Sequence, residues 1–198
     1  MGVDTKTIRR LFEMKNKGTI YFITQCAIVT ALMCIFGPMS VPIGVIPISL
    51  TNLVIYFAVY VMGWKGSTIS YVVYILLGLV GLPVFSGFQG GPAKLVGPTG
   101  GYLLGFVFIT IIAGICADKA KGKLRIPVTI GGMVVSTAIT YFFGTVWFMA
   151  QTGNDVTTSL GLCVFPFIPF DLGKMVIATL LGIPVSAALV KAGLINRK

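Results

Sequence analysis

The chain has 198 residues, 56% hydrophobic and only 10% charged, with a formal net charge of +10. Soluble domains carry about 25% charged residues, so this chain lacks the charge to coat a water-facing surface, and one membrane domain spanning residues 1–198 leaves no room for a soluble catalytic domain. The positive excess is split into short segments between apolar runs, which excludes a continuous basic face able to track nucleic acid.

Residues 1–18 form a basic arm with Lys6, Arg9, Arg10, Lys15 and Lys17. Its apolar Ile8, Leu11, Phe12 and Met14 fit either a short helix on the inner leaflet or a disordered anchor. Apolar runs long enough to cross a bilayer then recur, together making a bundle over residues 19–192. Span 1 covers about Thr19 to Phe36; it is long, and no small-residue cleavage site follows it, unlike a signal peptide. On this span Ala27 and Ala31 form a small-x-x-x-small step that permits close contact with another helix. The loop over residues 37–47, with Pro38 and Pro42 followed by Pro47, has no charge and reads as a lid over a cavity. Span 2 runs from about Ile48 to Met62 and span 3 from Ser67 to about Leu82. The glycine-rich loop over residues 83–100 follows. Irregular backbone near membrane depth is tolerated where it lines a cavity or is buried by protein. Span 4 covers about Gly101 to Ala117, span 5 Ile126 to about Ala150, and span 6 about Pro169 to Val190, with a third loop over residues 152–168.

The charges between spans set the expected orientation. The arm, Lys65, the group Lys119, Lys121, Lys123 and Arg125, and Lys191, Arg197 and Lys198 fall on one side if the spans number six. The other side has Lys94 and, at the start of span 6, Lys174. The expected fold is an all-α integral membrane protein with six transmembrane helices, both termini cytoplasmic and the loops 37–47, 83–100 and 152–168 extracellular.

Charge inside a span is costly and calls for a reason. Asp171 and Lys174 share one helical face. They are either a local ion pair that satisfies itself or a polar pair lining a ligand cavity; charge in an apolar segment favours the second. Lys94 is either a solvated loop lysine or an anchor for a ligand carboxylate, and Gln89 beside it offers both donor and acceptor. Gly100 opens span 4, where a helix N-terminus favours an anion.

Other classes lack their signatures. There is no histidine, and none of Cys26, Cys34, Cys116 and Cys163 makes a C-x-x-C pair, so no metal site is expected. The chain contains no phosphate-binding G-x-x-x-x-G-K-[ST] loop, no nucleophile–base pair and no obvious repeat of two halves. It is not read as an enzyme, and no cofactor is expected. A solo secondary carrier or a small channel for an organic solute is the alternative.

The stretch PVFSGFQGGPAKLVGPTGGYLLGF resembles the signature of the BioY family, and the resemblance extends through GVIPISLTNLV, YVVYILLGLVGLP and PFIPFDLGKMVIA. Members are the biotin-specific substrate-binding (S) components of energy-coupling factor (ECF) transporters. The resemblance implies a six-helix protein of the bacterial cell membrane that binds biotin with high affinity and works with a transmembrane coupling (T) component and two ATPases. It implies that Ala27 and Ala31 contact the T component. Within the site, Asp171 is expected to accept from the ureido N–H groups, and Lys174 to donate to the ureido oxygen or hold Asp171 in place. Gln89 would add a ureido contact, Lys94 or the helix start at Gly100 would take the carboxylate, and Phe85 and Tyr102 would pack on the rings. Span 2 reads ISLTNL where many relatives carry a glutamine near Thr51, so its residues are given less weight as ligand contacts.

Overall fold

A computed structural model describes residues 5–43 and 46–195; for residues 5–17 and Ile43 it describes the backbone alone. The chain is mostly helical, and four described segments are long and apolar enough to cross a membrane: Gly18–Phe36, Gly100–Lys119, Gly122–Thr152 and Val156–Lys191. The first lies in helix α1, Thr5–Phe36, whose backbone runs unbroken from the basic arm into the apolar segment.

Helix α2, Thr51–Leu79, covers both the second and the third expected spans and is broken at Gly63, with φ 70° and ψ −166°. That backbone conformation is essentially restricted to glycine. The hydrogen bonds on either side of the break show what it does. The arm before it, residues 51–62, runs antiparallel to α6, Arg125–Thr152: Tyr56 meets Thr137 at 2.6 Å, and Arg125 donates to the Tyr60 carbonyl at 3.3 Å. The arm after it, residues 64–79, runs antiparallel to the segment Gly100–Lys119: Thr68 meets Thr110 at 3.0 Å, and the Trp64 N–H donates to Asp118 at 3.1 Å. That segment is itself antiparallel to α6, with Thr140 donating to the Gly105 carbonyl at 2.9 Å and Tyr102 meeting Thr145 at 3.1 Å. The two arms of α2 therefore point in opposite directions, and Gly63 is a chain reversal. Asp118 and Ser67, whose hydroxyl donates to the Gly63 carbonyl at 2.6 Å, satisfy backbone groups that the reversal exposes. Gly63→Ala is expected to cost about 1–3 kcal/mol. Thermal unfolding in detergent checks this, and a parent-like melting temperature would contradict the assignment of strain to this position.

The segment Gly100–Lys119 is built from α4, Gly100–Phe108, a π-helical turn over Ile109–Ala113, and α5, Gly114–Lys119. The last long helix, α8, Phe167–Lys191, runs parallel to the first arm of α2, with Tyr60 meeting Thr179 at 3.0 Å. The main core lies where α1, α2, the π-helical turn and α8 meet, around Tyr56, Tyr60, Tyr71 and Tyr74.

The connecting segments hold structure that sequence reading takes for loop. Two antiparallel strands, β1 Ser40–Ile43 and β2 Ile46–Ser49, pair as a hairpin with Pro42 opposite Pro47. The glycine-rich loop contains α3, Pro92–Val96, and the third loop contains α7, Val156–Cys163. Asp155 caps α7 by accepting from the N–H groups of Thr157 and Thr158. Ile46 and Ile48 of the hairpin pack on Tyr102, Phe148, Cys163 and Phe167, a small second cluster that forms a roof at this end of the bundle.

Candidate functional site

Beneath that roof lies a cavity of about 60 Å³, reached by Ser49 at the end of β2, Asn52 on α2, Tyr102 on α4, Tyr141 on α6, and Asp171 and Lys174 on α8. Five separate chain segments deliver one polar side chain or more to a single point, although every helix involved is mainly apolar. This convergence follows from the packing of parallel α2 and α8 side by side, which stacks residue 52 on residues 171 and 174.

All of these residues except Tyr102, whose hydroxyl meets Thr145 and the Cys163 carbonyl, form one network. The Lys174 ammonium donates to the Ser49 carbonyl at 2.8 Å, to Asn52 Oδ1 at 2.9 Å and to Asp171 Oδ1 at 3.0 Å. Those three bonds use all three of its N–H groups. Asp171 accepts at Oδ1 from the Asn52 amide at 2.7 Å and at Oδ2 from the Tyr141 hydroxyl at 2.6 Å. The pair is nearly sealed from solvent, at 6% and 7% exposure. A buried ion pair of this kind holds together because every donor is satisfied; removing one partner leaves a charge uncompensated, at about 3–5 kcal/mol. The pair thus satisfies itself and also lines a cavity, so the two sequence readings are not exclusive. A carboxylate offers about four acceptor positions, and the three bonds drawn here leave Asp171 capacity for a further donor. Lys174 has none left, so the geometry gives it the role of holding Asp171 and Asn52 in place.

Tyr102 lines the cavity, with Phe106, Tyr141 and Phe167 beside it as an aromatic wall. The other expected residues lie elsewhere. Phe85 is fully buried in the main core, edge-on to Tyr74 at 5.6 Å, with its ring filling the space that a side chain at Gly78 would need. Gln89 is exposed and pairs through its backbone with Phe85. Lys94 is half-buried on α3, where burial pushes its ammonium below the ordinary lysine value, but its side chain does not reach the cavity wall. Gly100 is pressed against the Leu95 carbonyl, and the N–H groups of Gly100, Tyr102 and Leu103 are taken by the carbonyls of Gly97 and Thr99, leaving that helix start little to offer an anion.

Asn52 and Tyr141 are the residues that sequence reading passes over. Asn52 sits in the very span given less weight, yet it bonds both members of the pair. The available signal is its amide in an otherwise apolar run. Ala27 and Ala31 lie far from this network, both exposed, along an apolar groove of about 620 Å³ between α1 and the second arm of α2.

Comparison with known proteins follows the same outline. The sequence profile of the BioY family matches residues 10–191. The chain is 35% identical over 159 residues to the biotin transporter BioY of Thermotoga maritima, covering 80% of this chain and 92% of that protein. It is 31% identical over 170 residues to the biotin transporter BioY2 of Lactococcus lactis subsp. cremoris, covering 86% and 92%. The fold is similar to a crystal structure of the S-component for biotin from an ECF-type ABC transporter, with a TM-score of 0.77 and 30% identity, over 84% of this chain and 91% of the other.

Proposed function

The chain belongs to the BioY family, and from that premise we propose that it captures biotin as the S-component of an ECF-type vitamin uptake transporter. It is a multi-pass membrane protein with a role in transport and not in catalysis. The observation that supports the biotin reading most is the buried Asn52–Asp171–Lys174–Tyr141 network facing an aromatic-walled cavity. A bicyclic urea presents N–H donors and apolar ring faces, the complement of a carboxylate with spare acceptor capacity and of Tyr102, Phe106 and Phe167. Several charge-assisted bonds of about 1.5–3 kcal/mol each, with ring burial, reach the roughly −12 kcal/mol of nanomolar binding.

Ordinary small-molecule sites enclose about 300 Å³ or more, so a cavity of about 60 Å³ admits biotin only if its cover moves. The hairpin is the suitable part: its Ile46 and Ile48 pack on the small second cluster and not on the main core, its inner end is tied by the Lys174 bond to the Ser49 carbonyl, and Val41 faces outward. After that rearrangement Lys94, on the neighbouring glycine-rich segment, is the residue proposed to meet the ligand's carboxylate and Gln89 the one to add a ureido contact, while Gly100 and Phe85 act as packing supports.

The reversal at Gly63 supports six membrane crossings, with the lysine-rich ends of the helices in the cytoplasm of a bacterial cell and the roof outside. The chain carries no phosphate-binding loop and does not itself hydrolyse ATP; a T component and two ATPase subunits, with Ala27 and Ala31 at the contact, are the proposed source of transport energy, and a gradient used by a solo carrier is the alternative. The test is uptake of labelled biotin at low external concentration by biotin-requiring bacteria that express the chain. Uptake above that of cells lacking it, blocked by excess unlabelled biotin, is expected; uptake of many unrelated solutes would instead favour a channel or solo carrier.

Tyr141→Phe removes one bond to Asp171 and leaves Oδ2 unsatisfied beside the cavity. Biotin affinity is expected to fall about 3- to 10-fold, within the net worth of one hydrogen bond. Equilibrium binding on the purified variant checks this, and an unchanged affinity would remove Tyr141 from the site.

A further inference from the structure

The end of the bundle opposite the roof carries a second chemical pattern. Residues 119–125 read KAKGKLR, joining α5 to α6 through a turn of 3₁₀ helix over Gly122–Leu124, where Gly122 has φ 58°. Arg125 is turned inward: its guanidinium donates to the Tyr60 carbonyl at 3.3 Å and to the Ser186 hydroxyl at 3.2 Å, which anchors the turn to α2 and α8. Lys119, Lys121 and Lys123 are exposed, and none has an ion-pair partner among the described residues. Lys65, also exposed, joins them because Trp64 is bonded to Asp118, the residue before Lys119; its ammonium lies 5.7 Å from the Trp64 ring. Apolar side chains stand out among these cations. Leu124 is 67% exposed, and Trp64 and Ile126 are also open to their surroundings.

Cations with long alkyl stems, interleaved with an exposed tryptophan and leucine at the ends of membrane-crossing helices, match the boundary between hydrocarbon and headgroups. We propose that Lys65, Lys119, Lys121 and Lys123 form a binding site for the phosphate-bearing headgroup of an anionic phospholipid, with Trp64 and Leu124 seated among its upper acyl groups. Charge complementarity names the headgroup, and the apolar side chains name a lipid as its source. A headgroup held there ties the reversal at Gly63 to the α5–α6 turn. The inference needs only the membrane placement of the chain and is independent of biotin.

The experiment is native mass spectrometry of the chain purified from nanodiscs containing equal phosphatidylglycerol and phosphatidylcholine. The parent is expected to retain phosphatidylglycerol selectively, and the retention to collapse at high salt. In the triple variant Lys119→Gln, Lys121→Gln, Lys123→Gln the preference is expected to fall on the order of 100-fold at low salt, since each lysine near an anionic surface contributes a roughly five-fold effect. Biotin binding measured on the same preparation stays at the parent value, which reports the fold; if the triple variant is not recovered folded, Lys65→Gln with Lys121→Gln takes its place. Equal phosphatidylglycerol retention in parent and variant overturns the proposal. Complete displacement of the lipid preference by inorganic phosphate, at an ionic strength where chloride leaves it intact, assigns the site to soluble anions and overturns the lipid source. Loss of T-component association with unchanged lipid retention makes the patch a protein contact and also overturns it.

Discussion

Asp171→Asn is expected to weaken biotin binding by roughly 10- to 150-fold, the worth of one charge-assisted hydrogen bond, while the chain still folds. The substitution keeps the shape of the side chain but exchanges one acceptor oxygen for a donor, so it opposes a ureido N–H where the parent receives it. Lys174 keeps the Ser49 carbonyl and Asn52 Oδ1 as acceptors. Asp171→Ala is a different experiment. Both substitutions remove the carboxylate that balances an ammonium only 7% exposed, at about 3–5 kcal/mol to the folded state, but asparagine keeps an amide oxygen for Lys174 to donate to and alanine keeps none. Recovery of folded protein should therefore drop further for Asp171→Ala than for Asp171→Asn. Equilibrium binding of labelled biotin, with thermal unfolding on the same samples, separates the two effects. Parent affinity in an Asp171→Asn variant that remains folded at the binding temperature would take the carboxylate out of recognition.

Ala27→Trp is expected to leave biotin affinity within about two-fold of the parent and to reduce co-purification with a T component at least ten-fold. The groove along Ala27 and Ala31 is apolar, with Ile23, Ile69 and Val73 on its walls, and the two alanines, ending at Cβ, leave it open. An indole at residue 27 fills the groove and holds an incoming helix away, whereas the polar network sits on the first arm of α2, on α6 and on α8. A pull-down that recovers the T component as efficiently from the variant as from the parent would contradict the interface assignment. Lost biotin binding would show instead that the two regions are coupled.

The long helices are legible from sequence because twenty-residue apolar runs have few alternatives. Even the break in α2 is visible, since Gly63 falls in the gap left between the second and third expected spans. The hairpin is not legible. Proline cannot donate to a strand ladder, so a segment with Pro42 and Pro47 reads as loop; a two-stranded ribbon has only edge strands, and it accommodates both prolines facing one another. Helix α7 escapes because its residues Val156–Cys163 are too few and too mixed in polarity to show a period.

The site divides along the same physical line. Asp171 and Lys174 are legible because charge in hydrocarbon demands an explanation. Asn52 and Tyr141 carry no charge, and their part depends on contacts across 119 and 30 residues of sequence that no local pattern encodes. For Gln89, Lys94 and Phe85, closely spaced glycines indicate that backbone approaches something without saying which side chain turns inward; Phe85 turns into the main core.

The most direct measurement is titration of the purified chain alone, in detergent, with labelled biotin. Saturable binding of one biotin per chain in the nanomolar range is the expected result, with competition by analogues that keep the ureido ring and none by those that lack it. A folded, monodisperse preparation that shows no saturable biotin binding, or binds ureido-lacking analogues equally well, would contradict it.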